Sequence, residues 1–372
     1  MKVLMISKAY VRGSYQRKLE ELAKFEDLQL TAIVPPYWRE KGHTITLERS
    51  HTSGYELIVE NMAFNGQFHF HFYPGLGAQI RRLQPQIVHI DEEPYNFATF
   101  HALRLARSAG AQPLFFTWQN LLRRYPFPFS WMEQYNYRHS AHAIAGNRDG
   151  ADVLRRKGYR GPLTVIPQFG IDPEEYSPSP SDAEEESQYF RIGYAGRLVE
   201  EKGVDLLLQA LAGLNGRWRL SILGDGPNKT RLTELSGRLG LADRVTFQSP
   251  VPSADMPAYY RQLHALVLPS RSRPHWKEQF GRVLVEAMAC GVPVVGSDCG
   301  EIPHVIGEAG LIFPENDDQA LAAHLQRLLE DPSLRALLAV KGRERVIEHY
   351  TQERIAEATR QVYVNIIGSR DQ

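Results

Sequence analysis

The amino-acid sequence predicts an α/β protein made of two doubly wound parallel-sheet domains, and three observations predict it. The chain has 372 residues, more than a single hydrophobic core usually organises. Short apolar runs of strand length alternate with amphipathic stretches of helix length along both halves, the pattern of βαβ units. Between the halves, the segment from Asp172 to Gln188 is dense in Pro, Ser and Glu and lacks periodicity, so it reads as a linker. The expected division is residues 1–171, a linker over 172–188, a second domain over 189–350, and a C-terminal helix over 351–372 that packs back on the first domain.

In chain order, the strands expected in the first half are Val3–Ile6, Thr31–Val34, Ile87–Ile90, Leu114–Thr117, Ala141–Ala145 and Leu163–Ile166, with helices such as Phe97–Ser108 between several of them. The alternation Phe68-His69-Phe70-His71-Phe72 reads as a half-buried strand whose histidines decorate an exposed face, since no third ligand is suggested nearby. In the second half the expected strands are Arg191–Tyr194, Arg219–Leu223, Val245–Phe247, Ala265–Leu268, Val292–Gly296 and Leu311–Phe313. Ile355, Thr359, Val362, Tyr363 and Ile366 share one side of the helical tail. Ligands of open α/β sheets bind outside the carboxyl ends of the strands, so the site is expected between the two domains.

Composition narrows the function classes. Hydrophobic residues make up 43% and charged residues 23%, as in ordinary folded proteins. The two cysteines, Cys290 and Cys299, write neither a disulfide framework nor a zinc site, and a reducing compartment fits them. The apolar start, Val3 to Ile6, is too short for a signal peptide, and no run approaches the length of a spanning helix. A cytoplasmic protein, peripheral at most to the inner face of a membrane, is expected. Residues 1–170 carry 21 Lys+Arg against 14 Asp+Glu, so the net charge of zero hides a basic first half and an acidic second half. An anionic surface or substrate for the first domain and uneven solvated faces explain this equally well. Balanced charge and the lack of a recognised motif argue against a nucleic-acid partner.

The chemistry concentrates in the second half. From Lys277 to Val295 the chain reads as a polar loop, a glycine, an amphipathic helix ending at Gly291 and a buried strand. A helix starting near Gly281 offers free N–H groups and a positive dipole end to a phosphate. Glu286, one turn inside, can accept hydrogen bonds from the vicinal hydroxyls of a ribose, and Glu278 can do the same for a sugar. Arg197 and Lys202 follow the domain's first strand and can hold a diphosphate and neutralise its charge as it leaves. A surface ion pair with Glu200 or Glu201 explains the same two cations.

Arg197, Lys202 and Gly203, then Leu223-Gly224-Asp225-Gly226-Pro227, then Glu278 and Glu286 separated by seven residues with Phe280-Gly281 between them, resemble the second-domain motifs of the retaining GT-B glycosyltransferases of family four, the glycosyl transferases group 1. Val165-Ile166-Pro167 followed by Gly170-Ile171-Asp172 is similar to that family's interdomain segment. The resemblance implies a GT-B fold of two Rossmann-like domains facing a central cleft. It implies that Arg197 and Lys202 bind a donor diphosphate, Glu286 the ribose, and Glu278 with the Phe280-Gly281-Arg282 backbone the donor sugar. Val251 falls near the nucleobase, and Glu301 either lines the pocket or caps a helix.

In the first half the resemblance is looser. Where family members have a Gly-Gly pair, this chain has Arg12-Gly13-Ser14; Gly13 allows close approach to the donor and Arg12 adds charge, although a strand-to-helix turn explains the same residues. Where they often have a histidine, it has Trp118-Gln119-Asn120; Gln119 can donate to a sugar hydroxyl but cannot titrate. In retaining enzymes of this fold the leaving phosphate oxygen is thought to take the acceptor's proton, which requires no protein base. Asp91 or Glu93 can orient the acceptor or face the anomeric carbon, or else cap the next helix. The basic and aromatic stretch Leu121 to Trp131 can rest on an anionic leaflet, grip a lipid-linked acceptor or pack over the cleft.

The expected function is transfer of a hexose-type sugar from a UDP- or GDP-sugar to a hydroxyl acceptor, a glycan or lipid-linked intermediate. Neither a cofactor nor a metal is expected: the nucleotide sugar is a co-substrate, and no Asp-x-Asp pair is present to hold a divalent cation. The rivals are a nucleotide-sugar epimerase, a phosphorylase-like enzyme on the same fold, and an inactive nucleotide-sugar-binding scaffold.

Overall fold

The computed structural model describes residues 1–40, 42–178 and 188–369. The chain folds into two compact units, residues 1–170 with 352–372 and residues 171–351. Of the stretch expected to be a linker, residues 179–187 lie outside the described residues.

Unit 1 is built on β1 (Lys2–Ile6), β2 (Gln29–Val34), β3 (Tyr37–Glu40), β4 (His43–Thr46), β5 (Glu56–Val59), β6 (Ile87–Ile90), β7 (Gln112–Thr117), β8 (His142–Ala145) and β9 (Leu163–Val165). Seven of them form a parallel sheet in the order β5-β2-β1-β6-β7-β8-β9, and β3 and β4 pair as a separate antiparallel hairpin. In a strand covered on both faces, successive side chains enter different cores. In β1, Val3 and Met5 join the core under the helices Gly13–Ala23 and Gln352–Gly368, while Leu4 and Ile6 join the one under Leu76–Leu83 and Phe97–Ser108. Each such side chain contributes about 2 kcal/mol of burial. The tail helix supplies Ile355, Val362, Tyr363 and Ile366 to the first core.

Unit 2 comprises β10 (Phe190–Ala195), β11 (Trp218–Leu223), β12 (Val245–Gln248), β13 (Ala265–Leu268), β14 (Val294–Ser297) and β15 (Leu311–Phe313), parallel in the order β12-β11-β10-β13-β14-β15. In both units the strand order reverses beside the first strand, at β1/β6 and at β10/β13. Loops leaving adjacent strands there diverge and open a crevice.

Phe68–Phe72 is not a strand. It is a run of turns tied to the rest by the antiparallel bridge from Ala63 to Phe72 and by the Phe97 N–H, which donates to the His69 carbonyl at 2.9 Å. Its rings pack on aromatic neighbours instead of alternating across a sheet: Phe70 meets Phe129 at 5.1 Å and Phe72 meets Phe97 at 5.2 Å. Nor do both histidines sit on an exposed face, since His71 is fully buried, 3.5 Å from Glu92. The hairpin β3–β4 and β5 carry little apolar periodicity and were not among the expected strands.

Candidate functional site

In unit 2 the loops that follow β10 and β13 are stitched together. The Arg271 N–H donates to the Glu201 carbonyl at 2.8 Å, and Arg273 pairs with Glu200 at 2.5 Å. Gly203 sits at φ +65, where a Cβ would lie 1.9 Å from the Pro269 carbonyl oxygen, so only glycine lets the two loops meet. Their contact brings Lys202 and Glu278 together. Lys202 Nζ donates to Glu278 Oε2 at 2.5 Å, Ser270 Oγ donates to the same oxygen at 2.9 Å, and the ammonium lies 5.0 Å over the Trp276 ring. Lys202 thus pairs with neither Glu200 nor Glu201. Arg197 is exposed at the end of β10 and has no ion-pair partner among the described residues; its carbonyl is fixed by the hydroxyl of buried Tyr194 at 2.9 Å.

Gly281, at φ +76, precedes the helix Arg282–Ala289. One turn in, buried Glu286 accepts from Arg282 Nε at 2.7 Å on one oxygen and from the Tyr260 hydroxyl at 2.6 Å on the other. Each oxygen keeps a second lone pair, so the carboxylate is held in place and can still accept two hydrogen bonds. Phe280 packs edge-on against Tyr350 at 5.7 Å. Val251 is exposed in the loop after β12. The Glu301 side chain does not cap the helix Ile302–Ile306; its N–H donates to the Glu278 carbonyl at 3.1 Å and braces that loop. Tyr260, Ser270 and Trp276 are the residues that sequence reasoning missed. Their side chains matter only through which loop they face, and Tyr260 reads as one more apolar position of a short helix.

Unit 1 holds a pocket of about 620 Å³ at its own reversal point, lined by the loops after β1 and β6 and by the hairpin. Arg12, Arg39 and Lys8 are on its wall with Trp38 and Trp118. Three consecutive carboxylates at its base meet different fates. Burial pushes Glu93 up to about 7, against the hydrogen bonds it accepts from Thr117 Oγ1 at 2.5 Å and the Trp118 N–H at 2.8 Å. Burial works on Glu92 in the same direction, but the Lys8 ammonium and His71 overcome it and hold the group near 2. Asp91 is raised by burial, partly offset by Lys18 and by the amide of Gln168 at 2.8 Å. Lys18, itself fully buried, is lowered to about 8 by burial, and its Nζ donates to the Gln168 carbonyl at 3.2 Å. Trp118 Nε1 donates to Gln168 Oε1 at 2.8 Å, so Gln168 joins this wall to Asp91.

Neither Asp91 nor Glu93 caps the helix Phe97–Ser108 through its side chain; the cap position is Asn96. Gln119 stands apart from the pocket lining, its amide oxygen accepting from Lys157 at 3.2 Å and its amide nitrogen 3.5 Å from the Tyr125 hydroxyl. Gly13 is closely packed: a Cβ there would lie 2.2 Å from Ser50 Oγ, and its N–H donates to Glu48 at 2.6 Å.

Comparison with known proteins meets this geometry. The family described as Glycosyl transferases group 1 matches residues 179–345, and Glycosyltransferase Family 4 matches residues 27–175. A GDP-mannose-dependent alpha-(1-6)-phosphatidylinositol monomannoside mannosyltransferase of Mycolicibacterium smegmatis is 30% identical over 51% of this chain and 54% of its own length. A D-inositol 3-phosphate glycosyltransferase of Streptomyces bingchenggensis is 31% identical over 59% of this chain and 52% of its own. The chain spans about half the length of the curated relatives it matches. The structure of Anabaena HepE in complex with UDP superposes with a TM-score of 0.75, covering 98% of this chain and 100% of that one at 20% identity, and so shares the fold. With two parallel-sheet α/β units of this order and matches to both halves of the family, the chain belongs to the family-four, group 1 glycosyltransferases of the GT-B fold.

Proposed function

We propose that the protein is a retaining, metal-independent glycosyltransferase that moves a hexose-type sugar from a UDP- or GDP-sugar to a hydroxyl of a glycan or lipid-linked acceptor. The observation that carries this reading is the Lys202–Glu278 contact, with Arg197 exposed after the strand that leads to Lys202 and a doubly tethered Glu286 one turn inside the helix that follows the Glu278 loop. Arg197, Lys202 and the N–H groups opening the helix at Arg282 take the diphosphate, whose charge grows as the anomeric C–O bond breaks. Glu286 takes the ribose hydroxyls on its two remaining lone pairs, and Glu278 with the Phe280-Gly281-Arg282 backbone orients the sugar. Val251 borders the base.

The new C–O bond forms to the acceptor oxygen, and that hydroxyl's proton passes to the leaving phosphate oxygen. Glu93 in unit 1 is half protonated near neutrality and can exchange a hydrogen bond with the acceptor. The relatives named for inositol phosphate and phosphatidylinositol acceptors support a hydroxyl acceptor of that general kind.

Calorimetric titration with UDP-, GDP- and ADP-sugars tests the donor site. One donor should bind, and Glu286→Ala and Arg197→Ala should both weaken it; no binding, or unchanged binding in both variants, overturns the assignment. Turnover should persist in EDTA and require an acceptor. A metal requirement contradicts the charge handling, and turnover of donor alone points to an epimerase.

A further inference from the structure

We propose that the turn segment 64–70 and the segment 122–131 of unit 1 together form a face that docks on an anionic lipid bilayer. Six large apolar side chains in these two short stretches are exposed: Phe64, Phe68, Phe70, Leu122, Phe127 and Trp131, from 43% for Phe68 to 80% for Phe127. Aromatic contacts hold the stretches side by side. Phe70 meets Phe129 at 5.1 Å, and Phe68 reaches Tyr95 at 6.4 Å, which stacks on Tyr125 at 4.1 Å. A soluble surface seldom gathers so much apolar area without an occupant.

Charge identifies the occupant. Between residues 61 and 132 the only acidic residues are Asp91, Glu92 and Glu93, against Arg81, Arg82, Arg104, Arg107, Arg123 and Arg124. Those three carboxylates belong to the pocket base, where Asp91 and Glu92 are buried, so neither stretch presents a carboxylate of its own. Arg123 and Arg124 flank the exposed rings, and Arg104 lies 5.6 Å over Phe100, a ring that meets Trp131 at 5.1 Å. Exposed aromatic rings flanked by arginine and free of acid match the boundary of an anionic leaflet, where rings enter the headgroup layer and guanidinium groups meet phosphates. Phe68 also lines the pocket that holds Glu93, so the docked face and that pocket share a wall.

The test is co-sedimentation of the full chain with vesicles of phosphatidylcholine alone or mixed with phosphatidylglycerol. The protein should bind the mixed vesicles, more weakly as salt rises, and ignore the neutral ones. Phe127→Asp and Arg124→Glu should each reduce that binding by roughly tenfold or more while melting temperature and donor binding stay unchanged. Leu122→Asp is a second apolar variant should Phe127→Asp fail to fold. Absence of binding to mixed vesicles overturns the proposal, as does equal binding by the variants. A dimer in light scattering that Phe127→Asp dissociates, without vesicle binding, makes the face a self-interface and overturns it too.

Discussion

The two units share a strand order and place their polar groups at the same reversal point, yet they treat charge in opposite ways. At β10/β13 two carboxylates are held by a cation and a hydroxyl each, Glu278 by Lys202 and Ser270, Glu286 by Arg282 and Tyr260, and Arg197 has no ion-pair partner among the described residues. At β1/β6 only Glu92 is neutralised by a close cation, while Asp91 and Glu93 are pushed toward their protonated forms by burial. Groups held in place by cations and hydroxyls suit a ligand that must be positioned, and carboxyls that burial pushes toward the protonated form suit the exchange of a proton or a hydroxyl hydrogen bond. One scaffold thus serves two tasks by changing what stands beside each carboxylate.

The largest expected effect tests the loop contact in unit 2. Gly203→Ala forces a Cβ onto the Pro269 carbonyl oxygen at an unfavourable φ and should destabilise the protein by about 3 kcal/mol or more, read in a denaturant titration. A melt like that of the parent would show that the loops are not locked. Next, Arg197→Ala should lower kcat by about 10² to 10³, whereas Arg12→Ala in unit 1 should change it far less; equal losses would erase the distinction between the units.

The third prediction concerns pH. Glu93 is raised from 4.5 to about 7, so the native state binds more protons than the unfolded one between those values. Its contribution to stability is complete below about pH 4.5 and is lost as pH rises through about 7, by at most roughly 3 kcal/mol. Glu93→Gln should flatten that slope, and an unchanged slope would move the effect to Asp91. The smallest effect is Tyr260→Phe, which frees one oxygen of Glu286 and should weaken donor binding by about fivefold. No change would mean that Arg282 alone positions the carboxylate.

Most strands were legible because they are buried on both faces and read as apolar runs, as in Ile87–Ile90 and Ala265–Leu268. The donor-side residues were legible for another reason: a glycine, a helix start and two glutamates lie within a few positions of one another. What escaped depends on distance in sequence. The Phe68–Phe72 alternation imitates a strand, but its rings find partners 25 to 59 residues on, at Phe97 and Phe129. Lys18 reads as a solvated helix position, although it is buried near Asp91, 73 residues away. Gln168 gives no local sign of joining Trp118 to that carboxylate.

The bridge between Ile171 and Thr351 makes the two ends of unit 2 neighbours, and Gly170 and Gln352 are joined by hydrogen bonds of 2.8 and 3.2 Å. Unit 2 is therefore an insertion in the thread of unit 1: its first and last residues meet, whereas the core of unit 1 is assembled from strands that precede the insertion and from Ile355, Val362, Tyr363 and Ile366 that follow it. A chain cut before residue 352 should keep a folded unit 2 and leave unit 1 with an uncovered sheet face, so the helix after the insertion closes the core that the first strand opens.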